Sequence, residues 1–263
     1  MLHEPDGVEE GQLLQVELNT IASSFAGLSQ RVAAMHSALM PRWASTRRHA
    51  WQAAGKPSQL SMTSVLPPNA AADNLAEALA QAHALYAQDH ASILFVVQPH
   101  ERNHVDQDLL REKLWSMYGV RVICRTLAQI AVEAKLVGKQ RRLILPTGDE
   151  ISVVYFRAGY TPADYPSSRQ WDARTILERS YAIKCPCVEH HLVGCKKVQQ
   201  QLSLPGQLER FVDAEEGAAL RKVPCGHVGR CHDPALDRDK VQDRLHRCTC
   251  KMRCCVIFQS APL

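Results

Sequence analysis

Ser92-Ile-Leu-Phe-Val-Val97 is the stretch on which the fold turns. It is a short continuous apolar run, not an alternating one. Such a run marks a strand covered on both faces, as in a parallel sheet. After it, Asp106–Tyr118 carries Leu110, Leu114 and Met117 at helical spacing and ends at Gly119, a residue suited to the left-handed end of a helix. Val120-Arg-Val-Ile-Cys124 is a second strand. Strand, helix and strand make a βαβ unit, for which a right-handed crossover is expected. The pattern predicts an α/β fold with an open, parallel, Rossmann-like sheet.

The flanks extend this reading. Asn74–His90 places Leu75, Leu79, Ala82 and Tyr86 on one helix face, while Ala53–Asp73, with Pro67-Pro68, reads as a loop. A further helix runs through Leu28, Val32 and Met35. Downstream, Leu127–Leu136 is a predicted helix. Arg142–Leu145 and Ile151–Phe156 flank Pro146-Thr-Gly-Asp149, a hairpin signal. Ser168–Ala182 and Lys196–Leu202 complete the predicted helices.

At 263 residues the chain is long enough for one large domain or two small ones. A formal charge of +4 is too small to mark a nucleic-acid partner. No stretch approaches the ~18 consecutive apolar residues of a membrane span. Met1-Leu-His-Glu-Pro-Asp6 is acidic and lacks the apolar run of a secretory signal or the Arg-rich character of a transit peptide. A cytoplasmic, reducing compartment is expected, with the cysteines as thiols.

Several clusters carry candidate chemistry. Gln15-Val-Glu-Leu-Asn-Thr-Ile21 reads as a short strand that puts Glu17 and Asn19 on one face, an oxygen pair suited to Mg²⁺; a helix cap is the plainer alternative. Ala22-Ser-Ser-Phe-Ala-Gly-Leu28 offers backbone amides to an anion. Gln98-Pro-His-Glu-Arg-Asn103 leaves the carboxyl end of the first strand, where ligands of open α/β sheets collect. There Glu101, Asn103 and Gln107 suit an amino acid's ammonium and carboxylate, or else Glu101 only caps the next helix. Arg157-Ala-Gly-Tyr160 gives a planar fork, a turn and a hydroxyl. Lys196 opens a helix after Gly194, a natural phosphate contact or an ordinary exposed lysine.

These motifs, Gln15–Ile21, Glu101–Gln107, Val153–Tyr160 and Gly194–Gln200, together with the sequence between them, resemble the eukaryotic-type glutathione synthetase family of ATP-grasp ligases. The resemblance runs from Met1 to about Lys222. It implies a Rossmann-like substrate-binding domain beside an incomplete ATP-grasp portion: residues 1–90 in the ATP-grasp segment, 91–200 in the substrate domain, 201–222 returning to the ATP-grasp portion. It implies ATP-dependent ligation of γ-glutamylcysteine to glycine, with Mg²⁺, and a homodimer. By resemblance Glu101, Asn103, Gln107, Arg157 and Tyr160 hold γ-glutamylcysteine, Ser23 and Ser24 touch its cysteinyl part, and Glu17, Asn19 and Lys196 meet Mg²⁺–ATP. The family's usual form has Asp where Ala158 stands.

The chain also lacks the Gly-rich ATP loop, second phosphate lysine and lid that the family carries further on. A fragment with little turnover is therefore one expectation, and a non-catalytic γ-glutamylcysteine-binding or dimerisation module the other. Residues 223–263 hold Cys225, Cys231, Cys248, Cys250, Cys254 and Cys255 without paired C-x₂-C knuckles, so a disordered tail is expected there in preference to a zinc site.

Overall fold

In the computed structural model, residues 2–3, 12–13, 18–55 and 66–221 are described. β3 (Ser92–Val96) is buried along its whole length. β4 (Val122–Arg125) lies parallel on one side of it, with Ile93 opposite Val122. β7 (Glu150–Phe156), also wholly buried, lies parallel on the other side. β6 (Arg142–Ile144) and β5 (Lys135–Val137) extend the sheet antiparallel to β7, giving the order β4-β3-β7-β6-β5, and β8 (Ile183–Cys185) also pairs with β7. The fold is α/β, with a parallel centre and an antiparallel edge.

The crossover between β3 and β4 is α4 (His104–Tyr118), closed by Gly119 in the left-handed region as the sequence predicts. It packs on α3 (Ala71–Tyr86) and α1 (Ala26–Leu39), while α5 (Leu127–Glu133) packs on α6 (Ser168–Arg179). Burial of β3 and β7 on both faces accounts for the unbroken apolar run at Ser92–Val96.

Several boundaries differ from the sequence reading. α3 begins at Ala71, inside the predicted loop, because the Asn69 side chain accepts the Ala71 N–H at 3.0 Å. It ends at Tyr86 with Ala87 left-handed. The predicted helix Leu127–Leu136 stops at Glu133, and the chain continues as β5. That at Ser168 stops at Arg179, before β8. A 3₁₀ turn at Met40–Trp43 leads into α2 (Ala44–Ala53).

The β3–β7 register slips by one residue between Ser92 and Ile93. In an unbroken strand Ser152 and Phe156 would share a face. The bulge separates them: Ser152 meets His83 of α3, while Phe156 lies 4.2 Å beneath the guanidinium of Arg174 in α6.

His83 is buried and its Nδ1 lies 2.8 Å from Ser152 Oγ. The Ser152 hydroxyl donates to Ser92 O, so Nδ1 carries the proton and donates to Ser152. Burial pushes the His83 imidazole below its ordinary value. The unfolded chain therefore binds the extra proton more readily, and the contribution to stability is complete above about pH 6.5 and falls as pH drops below it. Urea midpoints at pH 7.5 and pH 5.5 should differ, and His83→Gln should narrow the difference. An unchanged difference would show that other groups set the acid limb.

The chain divides into two compact units, Ser24–Lys184 and a second drawn from Met1–Ser23 with the segment from Cys185 onward. The second contains the β1 (Leu2–His3) and β2 (Gln12–Leu13) pair, α7 (Val188–Val193), α8 (Lys196–Ser203) and α9 (Ala214–Arg221). Arg221 grips Glu209 with two donors, at 2.7 and 2.9 Å, and holds that carboxyl at about 2. The expected strand Gln15–Ile21 does not form at Leu18–Thr20, which is irregular; Glu17 and the Cys-rich 223–263 segment lie outside the described residues.

Candidate functional site

β3 and β7 are adjacent, parallel, and lead to different helix layers, β3 to α4 and β7 to α6. That is a topological switch point, where a crevice opens beyond the carboxyl ends of the strands. Five of the predicted site residues lie on the two loops and helix start at this place, all within Ser24–Lys184.

The first loop is organised by Glu101. One carboxylate oxygen accepts the Asn103 N–H at 2.8 Å and the other accepts Gln107 Nε2 at 2.8 Å. Glu101 thus both tethers the start of α4 and orients Gln107, which is buried. Each oxygen keeps a lone pair for a further donor. Asn103 is the N-cap residue, yet its own side chain makes no capping bond.

The second loop is held by Asp164, which the sequence reading did not single out. Its Oδ2 accepts the amides of Gly159, Tyr160 and Thr161, each at 3.1 Å. Its Oδ1 accepts Gln98 Nε2, which also donates to the Tyr160 hydroxyl at 3.2 Å. Ala158 is buried, so the carboxylate that stabilises this turn comes from six residues further on. Partial burial and the charge of Asp164 push the Tyr160 hydroxyl up, Gln98 pulls it down, and Glu101 and Arg157 act on it as charges. Glu101 and Arg157 therefore each lie within electrostatic reach of the Tyr160 hydroxyl.

Arg157 is buried, with Nη2 3.8 Å from Asp106 Oδ2. Asp106 is the main residue the sequence did not reveal. Its carboxylate accepts Phe25 N–H at 2.9 Å, Gly27 N–H at 3.0 Å and Leu28 N–H at 3.2 Å. The amides of the small-residue run do hold an anion, but it is the protein's own side chain. Two non-glycine residues here, Ala22 and Phe25, have φ of 54° and 65°, a conformation costing about 1–2 kcal/mol each. The Asp106 clamp holds the Phe25 turn in place. Ser24 lies in this turn, half-buried, and Ser23 beside it is exposed.

Asn19 and Lys196 belong to the second unit. Thr20 Oγ1 donates to His191 O at 3.2 Å, and a Cβ on Gly194 would lie 3.3 Å from Leu18 O. Gly194 therefore permits Leu18–Thr20 to lie against the turn before α8, whose first residue, Lys196, is exposed. Asn19 is exposed, and Glu17, its partner in the expected Mg²⁺ pair, lies outside the described residues, among which no three His, Cys, Asp or Glu side chains group to hold a metal ion.

The family model for eukaryotic glutathione synthase matches residues 91–193. The chloroplastic glutathione synthetase of Arabidopsis thaliana is 40% identical over 220 residues, 83% of this chain and 38% of that protein. The chain is similar to eukaryotic glutathione synthetases over about four-fifths of its own length. The Dictyostelium discoideum glutathione synthetase is 40% identical over 87% of this chain and 46% of its own length, and the human one 38% identical over 80% and 40%. The chain thus spans less than half the length of these synthetases. A solved glutathione synthetase-like effector from Globodera pallida, in its apo form, superposes with a TM-score of 0.62 at 25% identity, over 84% of this chain and 47% of that one. Among the described residues no helix is long and apolar enough to cross a membrane.

Proposed function

We propose that this chain carries the γ-glutamylcysteine-binding portion of a glutathione synthetase. The full reaction is ATP-dependent: the free carboxylate of γ-glutamylcysteine is phosphorylated, and the amine of glycine displaces phosphate to give glutathione and ADP. The observation that supports this reading is the convergence of Glu101, Gln107, Arg157 and Tyr160 at the β3–β7 switch point.

In this reading the open lone pairs of Glu101 take the ammonium of the γ-glutamyl end. Arg157 and the Tyr160 hydroxyl face its carboxylate, and Asn103 and Gln107 add amide contacts. Ser23 and Ser24 meet the cysteinyl part. By resemblance Lys196 meets the phosphates of ATP, and Glu17 and Asn19 meet Mg²⁺–ATP. Catalysis of this kind rests on positioning and charge neutralisation, without a covalent enzyme nucleophile. A cytoplasmic location and a homodimer, or pairing with a longer copy, complete the proposal.

Calorimetric titration with γ-glutamylcysteine tests it. Saturable binding is expected, weakened tenfold or more by Glu101→Gln; no binding to a folded sample would sink the reading. ADP release with glycine and Mg²⁺–ATP, lost in Glu17→Ala, would extend the assignment to the whole reaction. Binding without ADP release would instead leave a non-catalytic binding module.

A further inference from the structure

Cys187 and His190 lie side by side in the second unit. Cys187 Sγ lies 3.0 Å from His190 Nδ1, and the contact is solvent-exposed. The sulfur makes no capping bond to the backbone, so its orientation is set toward the imidazole. Neither residue takes part in the reaction proposed above, which needs no enzyme thiol.

We propose that Cys187 is a site of thiol–disulfide exchange with low-molecular-weight disulfides, with His190 as its base. With the imidazole proton on Nε2, Nδ1 takes the Cys187 thiol proton. The thiolate attacks one sulfur of the disulfide. A bond forms between Cys187 and that sulfur, the original S–S bond breaks, and the departing thiolate recovers the proton from His190. One thiol and one disulfide give one mixed disulfide and one thiol, so no other oxidant is needed.

The other described cysteines differ. Burial pushes the thiols of Cys124 and Cys185 up, which suppresses their thiolate forms. Cys195 has no sulfur–imidazole contact at hydrogen-bond distance like that of Cys187. The pair is local in sequence, three residues apart.

The test is site-resolved labelling of the full chain with oxidised glutathione at pH 7, followed by differential alkylation and peptide mapping. Cys187 should form the mixed disulfide at least tenfold faster than Cys124, Cys185 or Cys195. In His190→Gln the rate at Cys187 should fall at least tenfold and become steeper with pH between 6 and 8, while Cys195 keeps its rate. Circular dichroism of that variant shows whether it is folded, and Cys187→Ser removes the adduct. Equal rates at Cys187 and Cys195, or a Cys187 rate unchanged by His190→Gln, would overturn the proposal.

Discussion

Asp106→Ala is expected to lower the stability of the chain by about 3–5 kcal/mol, the range for removing one partner from a buried ionic cluster. The side chain is buried and accepts three backbone N–H groups at the start of α1. α1 has no side-chain cap of its own. Its first amides would be left without acceptors, and Arg157, 3.8 Å away, would lose a compensating charge. Water cannot readily repair this, because Gly27 sits so close to α4 that a Cβ there would lie 3.0 Å from Leu109. The melting midpoint should fall by roughly 10 °C. Asp106→Asn retains one acceptor oxygen and should lose about half as much. A change in Asp106→Ala below about 1 kcal/mol, measured by urea unfolding, would mean that the α1 amides are already hydrated.

The second large effect is expected from Gly159→Ala, and it should appear in binding. Gly159 has φ of +93°, and an added Cβ would lie 2.8 Å from the Tyr165 hydroxyl. Tyr165 cannot step aside easily. Its ring stacks on Trp171 at 4.0 Å, and its hydroxyl donates to Gly159 O at 3.0 Å. The alanine therefore meets both a forbidden backbone conformation and an occupied space, together about 2–3 kcal/mol. The turn relaxes by releasing the amides from Asp164, and that displaces Arg157 and Tyr160. Affinity for γ-glutamylcysteine should fall about 30-fold or more, by the conversion of about 2 kcal/mol. Calorimetry on the folded variant checks this; an unchanged affinity would detach the turn from the binding site.

What the sequence made legible was periodic or local. The run at Ser92–Val96 and the Pro146–Asp149 hairpin needed only patterns of two to six residues, and both stand in the structure. Glu101 and Gln107 were legible as candidate site residues, but their mutual hydrogen bond was not, since a loop's path cannot be read from composition. Asp106 looked like any acid in a first helical turn, and its partners lie 78 to 81 residues away. Asp164 was hidden for a related reason, because its work is on backbone amides, which every sequence position supplies. β5 and β8, three residues each, are too short to show alternation and exist through their sheet neighbours.

The distant capping of α1 also has a kinetic consequence. A helix is slow to nucleate when its first turn has no local stop, and α1 takes its stop from a residue about 80 positions on. Closing that loop before α4 exists would give up chain entropy for no bond. The strand–helix–strand centre must therefore assemble first, and α1 docks onto it afterwards. As the chain emerges from the ribosome, α1 waits for sequence not yet made.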